Sequence, residues 1–178
     1  RLVTTQTGPD GLPVSAVLLE ERIDVTTEWY LAATIDRFNA RPVLLASRRG
    51  GVDIEEVAAS DPSAILQEPT DIAAGVGVAA AARIVEALGC PAALAESCRR
   101  IVRALWTVLE ASDASLVEIN PLVVTRDARL LALDAKVTLD DNALFRHPDL
   151  AAWRDESQED PLELQAGRIG ISYVGLDG

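Results

Sequence analysis

Four residues of chemically useful type stand in two pairs, Glu118 with Asn120 and Asp134 with Lys136. The members of each pair are two positions apart, a spacing that sends both side chains to one face of a β-strand. Apolar runs over 116–125 and 130–137 carry them, and the polar stretch Arg126-Asp127-Ala128-Arg129 lies between, which predicts a β-hairpin. A three-residue connection over 126–128 sets Asn120 opposite Asp134 and Glu118 opposite Lys136. Directly opposite residues share a face, with Cβ atoms about 4.5–5.5 Å apart. One face would then collect two carboxylates, an amide oxygen and an ammonium, with Val117, Ile119, Leu133 and Ala135 filling the other.

Hard oxygen donors of this kind suit Mg²⁺, which takes one or two protein carboxylates and completes its shell with phosphate oxygens and water. A second reading stays open on spacing alone, and it is the commoner one. Antiparallel sheets often expose a polar face that meets only solvent. The register matters as well, because a slip of one residue would put the two polar sets on opposite faces.

The elements that must hold this hairpin can be read along the chain. Strands are predicted over 14–23, 28–35 and 42–46, with Gly8-Pro9-Asp10-Gly11 as a turn before the first. Gly50-Gly51 breaks the chain, and 52–59 reads as a short helix. A helix over 79–88 should stop at Gly89, with Pro91 just beyond. Another is expected over 91–111, where Leu94, Cys98, Ile101, Val102, Leu105 and Leu109 recur at helical spacing. After the hairpin, 140–165 is polar with short helical pieces, and 169–174 is a last strand candidate.

Composition bounds the rest. The 178 residues are 49% hydrophobic and 25% charged, the balance of an ordinary globular domain. No apolar run is long enough to span a bilayer, so no membrane association is expected. The net charge of −12 argues against a nucleic-acid partner. Cys90 and Cys98 lack metal-ligand spacing and read as reduced thiols of a cytoplasmic protein. The chain opens on Arg1 and contains no methionine, so it is expected to be a piece of a longer protein.

Glu118-Ile119-Asn120-Pro121-Leu122-Val123-Val124, then Leu133-Asp134-Ala135-Lys136 and Asp141-Asn142-Ala143-Leu144-Phe145-Arg146, resemble the signature of the succinate–CoA ligase β subunit or its malate–CoA ligase relative. Similarity extends to Arg1-Leu2-Val3-Thr4, Gln6-Thr7, Gly50-Gly51-Val52-Asp53-Ile54-Glu55, Ser157-Gln158-Glu159-Asp160-Pro161 and Tyr173 through Gly178. The resemblance implies a mixed α/β ATP-grasp fold, here the C-terminal part of the nucleotide-binding domain with the hairpin carrying the metal site. It divides the chain into an incomplete ATP-grasp domain over 1–159 and, over 160–178, a linker with the start of a C-terminal CoA-ligase domain.

It further implies that Asn120 and Asp134 are Mg²⁺ ligands, that Glu118 is the catalytic acidic residue at the phosphoryl-transfer site, and that Glu20 and Glu28 contact the nucleotide. Without the family, the last two would be ordinary surface carboxylates. The implied parent is a ligase of the tricarboxylic acid cycle that joins succinate to coenzyme A while cleaving ATP or GTP. Its partner is an α subunit that carries the phosphohistidine and the CoA site. Ser47-Arg48-Arg49-Gly50-Gly51 and Gln6-Thr7-Gly8-Pro9 resemble malate–CoA ligases as closely. Two departures stand out: Ile23 where the family usually has threonine, and Ala128 where it often has glycine in the hairpin turn. The family's glycine-rich phosphate loop is expected upstream of Arg1, and the piece alone should not turn over. A non-catalytic nucleotide-binding module and a purely structural fragment are the competing readings. His147, the sole histidine, is read as structural, because the family's phosphate carrier belongs to the other subunit.

Overall fold

A computed structural model describes residues 1–3, 8–14, 16–156, 159–171 and 173. Its centre is β1 (Val25–Asp36), whose residues Trp29 through Ala33 are each at most 2% exposed. A strand covered on both faces needs a continuous apolar run and not an alternating one, and Trp29-Tyr30-Leu31-Ala32-Ala33 supplies it. The chain turns at 37–40, where Asp36 Oδ1 accepts from the backbone N–H groups of Phe38 and Asn39, and returns antiparallel as β2 (Arg41–Ser47).

On the other side of β1 lies β4 (Ala114–Thr125), also antiparallel. The sheet runs β3-β2-β1-β4-β5, where β3 is Ile65–Pro69 and β5 is Leu130–Ala132; β6 (Ala135–Leu139) also pairs with β4. Between the strands come α1 (Ile54–Ser60), α2 (Val78–Leu88) and α3 (Ala95–Ala111). Asp53 starts α1 by accepting from the N–H groups of Glu55 and Glu56. Left-handed Gly89 ends α2 as expected.

Helices α2 and α3 cover one face of the sheet. Ile84, Cys98 and Val102 are wholly buried there against Leu31, Leu44 and Leu122. Each large aliphatic side chain so buried stabilises the fold by about 1.5–3 kcal/mol. After the hairpin, a 3-10 turn at Asp141–Arg146 leads to α4 (Pro148–Ala151) and α5 (Pro161–Arg168). Among the described residues no helix is long and apolar enough to cross a membrane.

The hairpin closes through the predicted three-residue connection. Thr125 N–H donates to the Arg129 carbonyl at 2.9 Å, and Ala128 N–H donates to the Thr125 carbonyl at 3.0 Å. Ala128 takes the left-handed conformation, φ 57°, that such turns reserve for glycine. Glu118 pairs with Lys136, and Asn120 N–H donates to the Asp134 carbonyl at 3.1 Å, so the expected register holds.

Four expectations need correction. Residues 16–23 form no strand, since Val17, Leu18 and Leu19 are 83–95% exposed and have no neighbouring strand to pair with. The returning arm of the hairpin is broken at Leu133-Asp134, and Leu133 and Ala135 are exposed instead of filling an apolar face, because this arm is the edge of the sheet. Residues 92–94 form a 3-10 turn before α3 begins, and β3 was not anticipated at all. No strand forms at 169–171; Ser172 and Val174 lie outside the described residues, as do Thr4, Gln6, Thr7, Ser157, Gln158 and Gly175 through Gly178 of the motifs quoted above.

Candidate functional site

Strand β4 does not run evenly past β1. Trp29 pairs with Leu122 and Leu31 with Ile119, so β4 carries one extra residue at Asn120-Pro121, a bulge joined by a cis peptide bond. A bulge re-aims the side chains around it. Ile119 and Leu122 can therefore both enter the core, while Asn120 turns toward the loop after β2.

There its amide is held at both ends. Asn120 Oδ1 accepts from Gly51 N–H at 2.7 Å, and Asn120 Nδ2 donates to the Val52 carbonyl at 2.9 Å. The two bonds fix which way the amide faces. They also leave Oδ1 one lone pair for a further partner.

The loop that makes these bonds lies against β1. Gly50 N–H donates to the Glu28 carbonyl at 3.2 Å, and a Cβ at Gly50 would overlap the Trp29 backbone. Gly51 has φ +71°, and a Cβ there would overlap Glu28 Oε2. The Glu28 carboxylate therefore sits directly over the loop that grips Asn120.

Glu118 stands two residues before Asn120, paired with Ala32 on one side and Lys136 on the other. Its Oε2 accepts from the Tyr30 hydroxyl at 3.1 Å. Burial, and next the charge of Glu118, push the Tyr30 phenol well above its ordinary range, so the hydroxyl keeps its proton and can only donate to this carboxylate.

Asp134 is exposed and placed opposite Asn120 by the register. Glu20 lines a cleft of about 400 Å³ with Ile23, Leu131 and Leu133, which sets it beside the strand that leads to Asp134. Glu118, Asn120, Asp134 and Glu28 thus gather around the β4 bulge, and Glu20 stands one strand further out. Among the described residues no group of three or more His, Cys, Asp or Glu could hold a metal ion. Beside Glu118 and Glu28, the pair set opposite each other by the register offers one carboxylate, Asp134, and one amide oxygen, Asn120 Oδ1, a donor set that would suit an ion keeping most of its shell in water and phosphate, as Mg²⁺ does.

Sequence reasoning missed two participants, Tyr30 and the Gly51-Val52 backbone. Tyr30 sits inside an apolar strand and signals nothing by itself. Gly50-Gly51 was visible as a chain break, and its closeness to Glu28 and Asn120 is purely tertiary. His147 takes no part in this cluster; its Nε2 lies 2.6 Å from Asp113 Oδ2, at the turn between α3 and β4.

An antiparallel sheet backed by helices, with oxygen donors on a hairpin, is compatible with an ATP-grasp domain. Residues 1–124 match the family model of the ATP-grasp domain, and the chain belongs to that family. It is 48% identical over 177 residues to the succinate–CoA ligase (ADP-forming) subunit beta of Koribacter versatilis, covering 99% of this chain and 45% of that one. The subunit of the same name from Paraburkholderia phytofirmans is 44% identical over 178 residues, 100% of this chain and 46% of that one. The chain thus spans about half the length of the curated relatives it matches. The solved ATP citrate lyase of Methanothrix soehngenii, in complex with citrate and coenzyme A, shares the fold, with a TM-score of 0.61 at 18% identity over 84% of this chain and 34% of that one.

Proposed function

We propose that this chain is the nucleotide- and Mg²⁺-holding part of a succinate–CoA ligase β subunit. The complete enzyme would convert ATP, succinate and coenzyme A into succinyl-CoA, ADP and phosphate through a phosphohistidine on an α subunit. The observation that carries the reading is the doubly anchored Asn120 amide, paired in register with Asp134 and two residues from Glu118. The ADP-forming label of the relatives supports ATP over GTP.

When bound, Mg²⁺ would neutralise phosphate oxygens of the nucleotide while the phosphoryl group moves. Asn120 Oδ1 and the Asp134 carboxylate would hold it. Glu28, beside the Gly51 backbone, and Glu20, on the outer cleft, would accept hydrogen bonds from the nucleotide. Glu118 would face the incoming imidazole, its carboxylate orienting the ring and balancing the positive charge that develops there.

Two measurements test this. Calorimetry of the chain with ATP should show binding that depends on Mg²⁺ and is lost in Asp134→Asn. The full-length protein, assembled with its α subunit, should form a phosphohistidine from ATP. Normal folding with no phosphoenzyme in the assembled protein would overturn the assignment.

A further inference from the structure

We infer that Tyr30 is a positioning residue for phosphoryl transfer, holding the Glu118 carboxylate in its working orientation. The inference rests on the role proposed above for Glu118. Tyr30 belongs to the central strand, is 2% exposed, and pairs through its backbone with Ser47 of β2. Its ring is buried and projects from a strand paired on both sides, so its hydroxyl is not a mobile surface group. That hydroxyl crosses to β4, 88 residues later in the chain, and meets Glu118 Oε2 at 3.1 Å.

Only one carboxylate oxygen is tied. Among the described residues Oε1 has no hydrogen-bond partner, and Glu118 is partly open to solvent. A carboxylate on a two-carbon stem samples several rotamers when untethered. Tying Oε2 to a buried, rigid donor selects one of them and leaves Oε1 available to a further partner, two residues along β4 from Asn120. Donors fixed in advance need no reorganisation as charge develops, which is how such sites accelerate transfer. At 3.1 Å the contact is at the long end of O–H···O geometry, so its part is to set direction. Tyr30 acts on the orientation of Glu118 and touches neither nucleotide nor metal.

The test uses the full-length protein assembled with its α subunit, reading the rate of phosphoenzyme formation at saturating ATP, the KM for ATP, and a thermal melt. Tyr30→Phe keeps the ring and removes the tether. It should slow the rate by ~10- to 100-fold, the range expected for losing a hydrogen bond to a charged group, with KM nearly unchanged. In a Glu118→Gln background, Tyr30→Phe should add little, since the group it orients is already altered. Glu118→Asp keeps the charge but draws it back from the hydroxyl, and it should lose a comparable factor. This arm remains readable if Tyr30→Phe does not fold. A wild-type rate for Glu118→Gln would remove Glu118 from the reaction and with it the proposed function of the site. An impaired Glu118→Gln beside a wild-type Tyr30→Phe, or a wild-type Glu118→Asp, would overturn the Tyr30 role alone. Losses that multiply in the double variant would show that Tyr30 acts by another route, and would also overturn it.

Discussion

Gly51 and Asn120, 69 residues apart in the chain, share a 2.7 Å hydrogen bond from backbone N–H to amide oxygen. The bond exists because Gly51 tolerates φ +71° and lets the loop lie close to Glu28. Alanine at 51 pays the left-handed penalty of about 1–2 kcal/mol, while the exposed Glu28 side chain swings aside. Alanine at 50 meets the Trp29 backbone, which cannot yield. The expected order of thermal stability is therefore wild type, then Gly51→Ala, then Gly50→Ala. Gly51→Ala should also weaken Mg²⁺-dependent ATP binding in calorimetry. A Gly50→Ala chain that melts no lower than Gly51→Ala would contradict this packing.

Asp134→Asn in the assembled enzyme should damage catalysis far more than folding. The side chain is exposed in the break between β5 and β6, so loss of its charge removes no core contact. Loss of one charge-stabilising contact typically costs about 2.7–4 kcal/mol, or ~10²–10³ in rate. Phosphoenzyme formation followed against Mg²⁺ concentration should recover in part as the metal is raised, while the melt stays at the wild-type value. A variant that phosphorylates at the wild-type rate would remove Asp134 from the site.

These two predictions differ in how far the sequence foretold them. The hairpin was legible from period-two alternation around a polar connection; spacing left a one-residue slip open, and the three-residue connection that aligns Asn120 with Asp134 is the pairing the structure adopts. Helices α2 and α3 were legible from Gly89 and from the stripe through Cys98, Val102 and Leu105. Strand propensity misled at Val17-Leu18-Leu19, where no partner strand lies alongside. It was silent on β3, whose five residues form a strand only because β2 offers an open edge. The loop that grips Asn120 and the tyrosine that grips Glu118 act across 69 and 88 residues, and no local pattern records such a meeting.

On the outer strand of the sheet, Glu68 is 8% exposed and receives both Arg83 Nε at 2.8 Å and Arg83 NH2 at 2.6 Å. The Arg83 hydrogen bonds hold its carboxyl below the ordinary glutamate range, with burial opposing. A carboxyl depressed in the folded state contributes stability above its unfolded pKa of about 4.3, and that contribution disappears as pH falls through the lower folded value. Glu68→Gln should therefore cost about 1.5–3 kcal/mol near neutrality. Melts recorded from pH 7 downward should begin to approach wild type below the unfolded value of about 4.3 and meet it only below the lower folded value. A gap that widens on acidification would show the pair to be unfavourable.

His147 should prove to be structural. Its contact with Asp113, together with the Arg146–Asp113 pair at 2.7 Å, fastens the segment after the hairpin to the turn between α3 and β4. His147→Asn should lower stability by about 1 kcal/mol, since Arg146 remains, and leave phosphoenzyme formation unchanged. Loss of phosphoenzyme in a variant with a normal melt would place His147 in the chemistry.

The two bonds on the Asn120 amide also explain why an aspartate, identical in shape and the stronger ligand for a hard cation, is the wrong residue at this bulge. The nitrogen end faces the Val52 carbonyl, so a carboxylate would set oxygen against oxygen where a donor is required. It would also add a second full negative charge next to Asp134. The Asn120 amide thus keeps one further charge away from a neighbourhood that already holds Asp134 and, two residues before Asn120 on β4, Glu118. An Asn120–Asp134 pair would hold Mg·ATP largely through the nucleotide's own phosphates, and that hold would weaken once the γ-phosphoryl has departed. Easier release of Mg·ADP from the proposed site would then trace to a backbone carbonyl in a glycine loop, and Asn120→Asp is expected to trade turnover for metal affinity, readable as a slower steady-state rate with tighter Mg²⁺ binding.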